Sequence, residues 1–349
     1  LAISDNVWPG VARQSFGGEA GPTSAPWLDS NGWYVQLARA RSETPVWLIF
    51  DPPGASSVTP SQGYQTAVCD SESAGARWVI SLDANLRSGL AEGNPTARQT
   101  LKQAGEAARF YRNHAEWKAF RSLGVVGVIS DFTGENFETS GEILNLMARR
   151  NLQFRVIWKS QAMTKPFAGL KTLMYADREA PAPDLRRKMM TFVEQGGLLV
   201  TGPKWGAGGT PANPGFPTQF EVRSFGKGRL AVAREELSDP YQVAVDTQLL
   251  TSHANDLVKV YNSSSSGCSL FTGSSDGKKA LLQILSYASG RSSGPRTVWV
   301  GRKYRSCRLW SIGADAPMPL EPSPSEEYFG MEYKIPQETP ASFALEFEA

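Results

Sequence analysis

The sequence predicts a multi-domain α/β chain with an open, doubly wound sheet in its middle and an all-β C-terminal region. Three observations predict it. At 349 residues the chain exceeds what one hydrophobic core ordinarily supports, so two or three domains are expected. Between 123 and 255, short continuous apolar runs alternate with amphipathic helical patterns, as βαβ units do. From 256 onward, short candidate strands follow one another across Gly, Ser, Pro and Asp turns. The expected boundaries are 1–122, 123–255 and 256–349.

Gly17-Gly18, Gly21-Pro22 and Pro26 make the opening segment irregular. Alternating apolar and polar residues then predict a strand over 33–40. The run 46–50, ended by Asp51-Pro52-Pro53, and the run 78–82, ended by Asp83, predict two more. Leu101, Ala104, Ala108, Tyr111 and Trp117 lie near helical spacing and predict a helix over 96–120. Strands separated by loops or helices point to a partly parallel sheet.

The middle region is patterned more clearly. Strands are expected at 125–130, 153–158, 170–176 and 198–201. A helix over 141–150 places Ile143, Leu144, Met147 and Ala148 on one face. A second, over 184–195, turns Leu185, Met189, Phe192 and Val193 inward and stops at Gly196-Gly197. Right-handed crossovers then build an open doubly wound sheet. Beyond a Gly/Pro-rich loop through Pro217, strands at 220–225 and 229–233 flank Gly226-Lys227-Gly228, and a helix over 241–255 closes the region. Candidate strands at 257–261, 269–272, 279–287, 297–300, 307–311, 330–335 and 342–348 predict a β-sandwich, with Ser-rich hairpin loops in 262–277.

Composition narrows the function classes. Hydrophobic residues are 41% and charged residues 20%, ordinary for a globular protein. The net charge of +2, with basic residues scattered among acidic ones, argues against a nucleic-acid partner. The densest basic run, Arg186-Arg187-Lys188, reads as a solvated helix face. No apolar stretch reaches the ~18 residues of a membrane-spanning helix. A first residue of Leu1 rather than Met fits a removed signal peptide, hence an extracellular or periplasmic protein, and fits an artificial boundary equally. Cys69, Cys268 and Cys307 are too few for a disulfide framework or a zinc site, although Cys268 and Cys307 are either a pair or two buried thiols. Ten Trp and ten Tyr suit stacking on sugar rings or plain core packing.

Particular phrases resemble a known module. The strand Gly169 to Tyr175, the helix Arg186 to Glu194, the phrase Phe192-Val193-Glu194-Gln195-Gly196-Gly197-Leu198-Leu199-Val200-Thr201-Gly202-Pro203 and the later Phe225-Gly226-Lys227-Gly228-Arg229 resemble the class I glutamine-amidotransferase-like, flavodoxin-like domain of family 42 β-galactosidases. The phrase Lys279 to Ala288, followed by Val298-Trp299-Val300, resembles the β-sandwich ending such hydrolases. The resemblance implies that 1–122 is part of a (β/α)8 barrel, although a full barrel takes ~250 residues. It also implies that the middle module serves assembly into a homo-oligomer. No Cys lies between Cys69 and Cys268, so the thiol nucleophile of true amidotransferases is missing.

Glycoside hydrolysis needs two carboxylates, one protonated and one ionised. Asp51, Asp83, Asp131 and Glu135 fall at expected C-terminal strand ends, where α/β folds place ligands. Glu19 and Glu135, each in a Gly-bearing loop, are the preferred catalytic pair. Asp29, Asn31, Asp51, Asp83 and Asp131 are candidates for sugar hydroxyls, with Trp27 or Trp33 as stacking platforms. The alternative for the Asp and Asn residues is turn and cap chemistry, with Asp131 or Thr133 capping a helix from about Glu138, and for the Trp residues core packing. With two histidines, His114 and His253, the chain lacks a His-rich metal centre and a well-placed Ser-His-Asp triad. Gly206-Ala207-Gly208-Gly209 runs into prolines rather than a helix, so no phosphate loop, cofactor or metal is expected. The expected function is a glycoside-hydrolase-like protein acting on or binding extracellular carbohydrate; the alternative is a non-catalytic carbohydrate-binding or assembly protein.

Overall fold

A computed structural model describes residues 1–4, 6–10, 30–52, 61–206, 208–261, 267–287, 296–326 and 329–349. The chain divides into two units, residues 1–121 with 258–349, and residues 122–257.

In the first unit, β1 (Ala2–Ile3), β2 (Trp47–Ile49) and β3 (Arg77–Val79) form a three-stranded parallel sheet in that order. Four helices accompany it: α1 (Gly32–Arg41), α2 (Ser61–Ser73), α3 (Ala84–Ala91) and α4 (Pro95–Asn113). The strand expected at 33–40 is α1 instead. Its alternation rested on Trp33, Val35 and Leu37, whereas Gln36 through Arg41 are good helix formers. Neither α2 nor α3 is evident from the pattern. The inward face of α2 mixes Tyr64, Ala67, Val68 and Cys69 with buried Asp70 and Ser71, which masks its apolar period. Helix α4 starts under an Asn94 cap that accepts from Thr96 N and Ala97 N, and it ends at Asn113, short of the expected 120, where a 3-10 turn (Ala115–Ala119) takes over. The two-residue β4 (Arg121–Ser122) follows.

The second unit runs β5 (Val126–Ser130), α5 (Gly134–Arg149), β6 (Phe154–Trp158), β7 (Thr172–Tyr175), α6 (Pro183–Glu194), β8 (Leu198–Thr201), β9 (Thr210–Pro211), β10 (Phe220–Phe225), β11 (Gly228–Ala233) and α7 (Pro240–Thr251). Its sheet has the order β6-β5-β7-β8-β11-β10-β9. The first five are parallel, with β10 and β9 added antiparallel. Numbered by appearance, the parallel strands read 2-1-3-4-5. The chain therefore leaves β5 toward β6 on one side and passes to β7 on the other, and the strand ends diverge there. Ile129, Leu173, Leu199 and Leu230 from the sheet meet Met189 and Val193 of α6 in one core.

The glycine phrases have a steric meaning. Gly196 ends α6 at φ 113°. The β10–β11 turn then seats against this helix end: Lys227 N donates to Glu194 O at 3.0 Å and Arg229 N to Gly197 O at 3.0 Å. A Cβ on Gly226 would lie 2.7 Å from Glu194 Cα, and one on Gly228 would run into the carbonyl oxygens of Gly197 and Val193. Both obstacles are backbone and cannot rotate away. Gly228→Ala is accordingly expected to lower unfolding free energy by about 3 kcal/mol, read from denaturant unfolding.

The remaining strands of the first unit are β12 (Val258–Tyr261), β13 (Gly267–Gly273), β14 (Lys279–Ser286), β15 (Arg296–Val300), β16 (Ser306–Ser311), β17 (Met318–Pro319), β18 (Ser323–Pro324), β19 (Met331–Ile335) and β20 (Phe343–Glu348). They form two antiparallel sheets, β12-β15-β19-β18 and β17-β16-β20-β14-β13, the latter extended by β4. Tyr333 of the first meets Phe347 of the second with ring centroids 5.4 Å apart. Cys268 and Cys307 are free thiols. Their strands, β13 and β16, are separated by β14 and β20, roughly 14 Å at ~4.8 Å per step, so the possible pairing is excluded.

Leu281 and Leu285 of β14 and Ala344 of β20 share one core with Trp8, Leu48, Tyr64 and Trp78 of the N-terminal layer. Asp70 is buried in the same unit. It accepts from Tyr287 Oη at 2.6 Å, from Asn31 Nδ2 at 2.8 Å and from Asn31 N at 3.1 Å, while Asn31 also exchanges hydrogen bonds with Val7 at 2.9 Å. Burial pushes the Asp70 carboxyl up to about 6, against the pull of its Tyr287 and Asn31 donors. The folded value lies above the ordinary 3.8, so the native state takes up this proton first as pH falls, and stability is gained between about 6 and 3.8. Relative to Asp70→Asn, the natural chain should gain about 2–3 kcal/mol between pH 7 and pH 4, measured by denaturant unfolding of both proteins.

Candidate functional site at the parallel strand ends

In the second unit, β5, β6 and β7 are parallel neighbours, so their carboxyl ends open on one edge. Asp131 is the first residue after β5, Lys159 the first after β6, and Asp177 the second after β7. Lys159 Nζ donates to Asp177 Oδ2 at 2.6 Å and to Asp131 Oδ2 at 3.3 Å. Asp131 N donates to Asp177 Oδ1 at 3.1 Å, and Tyr175 Oη to Asp177 Oδ2 at 3.3 Å. The Asp177 side chain is 0% exposed and that of Lys159 34%. Burial alone would lower the Lys159 ammonium, but the hydrogen bond and charge of Asp177, with Asp131 behind it, hold it above the ordinary lysine value. Burial and the Asp177 charge push the Tyr175 phenol up. Burial opposes ionisation of Asp131, yet donors from Asn136, Thr133 and Lys159 hold it below the usual carboxylate range.

The β5–α5 turn is tightly specified. Phe132, buried against Trp158 at 5.1 Å between ring centroids, has φ 49°, a left-handed backbone rare outside glycine. Ser130 Oγ accepts from Phe132 N at 2.9 Å, and Asp131 Oδ1 accepts from Thr133 N, Thr133 Oγ1 and Asn136 Nδ2. Asn136 Oδ1 in turn accepts from Arg178 N at 3.1 Å, joining this turn to the one after β7. Beside it lies a cleft of about 250 Å³, lined by Thr139, Asp177, Arg178, Lys204, Glu236 and Ser238 among others. Arg178 pairs with Glu135 and, at 3.6 Å, with Glu236, and Lys204 pairs with Glu179.

The sequence candidates are distributed as follows. Asp131 and Glu135 stand together at this edge. Glu135 lies in the first turn of α5, not in a loop, because the helix begins at Gly134 rather than near 141. Its N-cap is Thr133, whose side chain makes no capping bond. The other described candidates belong to the first unit. Asn31 is buried in the Asp70 network, and Trp33 stacks on Tyr34 within α1 at 5.3 Å. Asp51 accepts from Ser81 Oγ at 2.6 Å. Asp83 caps α3, accepting from Leu86 N at 2.8 Å and from Tyr64 Oη at 2.5 Å. Glu19, Trp27 and Asp29 lie outside the described residues. Lys159, Asp177, Arg178, Lys204 and Glu236 were not singled out from the sequence. Lys159 and Asp177 follow expected strands directly, so the strand-end rule that selected Asp131 reaches them too once cations are admitted. Among the described residues, no His, Cys, Asp and Glu group of three or more is placed to hold a metal ion, and no helix is long and apolar enough to cross a membrane.

No protein-family model matches the chain, and no curated protein does. Solved structures do match. The α-L-fucosidase isoenzyme 2 from Paenibacillus thiaminolyticus aligns over 91% of this chain and 62% of its own, with TM-score 0.58 and 10% identity. In fold the chain is similar to glycoside hydrolases. A GH42 β-galactosidase from G. stearothermophilus aligns over 91% and 56%, with TM-score 0.54 and 11% identity. A β-galactosidase from Bacillus circulans sp. alkalophilus aligns over 90% and 61%, with TM-score 0.53 and 11% identity. The chain thus spans 56–62% of the length of these solved structures.

Replacing Lys159 with Met leaves the buried Asp177 carboxylate without its cation. Unfolding free energy should fall by about 2 kcal/mol, below the ~3–5 of a fully buried broken pair because Lys159 is partly solvated. Denaturant unfolding measures the change, and the double variant Lys159→Met with Asp177→Leu should recover part of it.

Proposed function

We propose that this chain is a carbohydrate-directed protein built on a glycoside-hydrolase scaffold, and that its second unit binds sugar hydroxyls at the β5/β7 edge. In this reading 123–255 is the flavodoxin-like, amidotransferase-like domain, 256–349 the β-sandwich and 1–122 part of a barrel. The 2-1-3-4-5 strand order supports a flavodoxin-like domain, and ligands in such sheets sit where the strand order reverses, here between β5 and β7. The observation that carries the reading is the glycoside-hydrolase fold along 91% of the chain, with a polar cleft at that edge.

Binding is favoured over hydrolysis at this edge. A glycosidase acid needs a carboxyl held protonated near neutrality. Here Glu135 is held by Arg178, Asp131 is pulled below the ordinary range, and Asp177 faces Lys159. Asp131 so held accepts from sugar hydroxyls but donates no proton to a leaving oxygen, while Glu135 and Asp177 are engaged by cations. The test is hydrolysis of a panel of aryl glycosides and plant oligosaccharides, beside calorimetric binding of the same sugars, for the natural chain and Glu135→Gln. Binding without turnover is the expected result. Turnover abolished by Glu135→Gln would replace it with the enzymatic reading, and absence of both binding and turnover would remove the carbohydrate assignment.

A further inference from the structure

We infer that the cleft of the second unit is selective for a carboxylate-bearing sugar, with the Arg178 guanidinium gripping the carboxylate. This rests on the carbohydrate reading above and adds the ligand's charge class.

Arg178 leaves a backbone fixed on three sides. Its own N donates to Asn136 Oδ1 at 3.1 Å. The preceding Asp177 is buried on Lys159 at 2.6 Å, and the following Glu179 carbonyl accepts from Tyr175 Oη at 3.0 Å. A guanidinium projecting from so fixed an origin is pre-organised for a planar partner.

Its current partners are exchangeable. Glu135, 74% exposed, comes from the first turn of α5, and Glu236, 58% exposed, from beyond β11; the Arg178 side chain is 49% exposed. Ion pairs this open contribute about 0–1 kcal/mol. The 3.6 Å separation from Glu236 is longer than a charge-assisted hydrogen bond. A ligand carboxylate can therefore take a bidentate grip on Arg178 at small cost. Lys204, 48% exposed and paired with Glu179, adds a second cation to the cleft.

The surroundings set the ligand's charge. Lys159 is already committed to Asp177 and Asp131, leaving Arg178 and Lys204 among Glu135, Glu179 and Glu236. With three carboxylates around two cations, a doubly charged phosphate meets more repulsion than a singly charged planar carboxylate, which enters by taking the place of Glu135 or Glu236 on the Arg178 guanidinium. A volume of about 250 Å³, with Thr139 and Ser238 as hydroxyl partners and Leu237 and Pro203 as an apolar wall, suits a single sugar ring.

The test is isothermal titration calorimetry of the full chain with D-glucuronate, D-glucose, D-glucose 6-phosphate and acetate. D-glucuronate should bind at least tenfold more tightly than each of the others. Arg178→Gln should bring glucuronate and glucose within about twofold of each other, and Glu236→Gln should tighten glucuronate severalfold. Both altered side chains are exposed, and an unchanged circular-dichroism spectrum confirms the fold. Equal binding of glucose and glucuronate overturns the inference while the carbohydrate reading stands. Tighter binding of the phosphate, or of acetate equal to glucuronate, overturns it as well. Loss of all sugar binding removes both.

Discussion

The Lys159–Asp177 pair fixes the edge on which the second unit's chemistry depends. A carboxylate with no exposed side-chain surface is tolerable only with a cation and donors around it. Here the cation comes from the end of β6, a backbone donor from the end of β5 and a phenol from β7 itself. One buried charge thus ties three successive strand ends into a single arrangement. The constraint extends outward through Asp131 to the turn with Phe132, and through Asn136 to Arg178. The exposed groups at the rim are held in position by a chain of contacts that starts at one carboxylate solvent does not reach.

The first unit is organised around a different buried carboxylate. Asp70 has no cation among its hydrogen-bond partners and is satisfied by a phenol, an amide side chain and a backbone N–H. Burial, with no cation to offset it, opposes its ionisation, whereas Asp131 at the strand edge stays charged. The same side chain acts as an acid-sensitive joint in one unit and as a fixed acceptor in the other. Cations and accessible water decide which.

Groups at the cleft of the second unit share a further property. Each cation there is matched with carboxylates that solvent reaches, so the charges are present but weakly committed. This is the condition for exchange with a ligand, and it contrasts with the tightly held pair beneath. A fold similar to those of glycoside hydrolases, at 10–11% identity, supplies the scaffold on which the cleft is built.

Much of the fold was legible because some segments satisfy their pattern without help. The strands at 198–201 and 220–225 appear within their expected bounds, since continuous or alternating apolar runs ended by Gly or Pro leave little choice. Gly196-Gly197 marked the end of α6 for the same local reason. The helix α1 was obscured by three apolar residues spaced like a strand, and α2 by a buried Asp and Ser on its inward face. The first turns of α5 carry Glu135, Asn136, Glu138 and Thr139 around a single Phe137, so no apolar stripe announces them; contacts to Asp131 and Arg178 organise them instead. The sequence by itself determined the alternating βαβ pattern, the glycine turns and the acidic strand end at Asp131. The tertiary structure alone decided which residues share that edge with it, because Lys159, Asp177 and Glu236 reach one place through strand order, which periodicity does not encode.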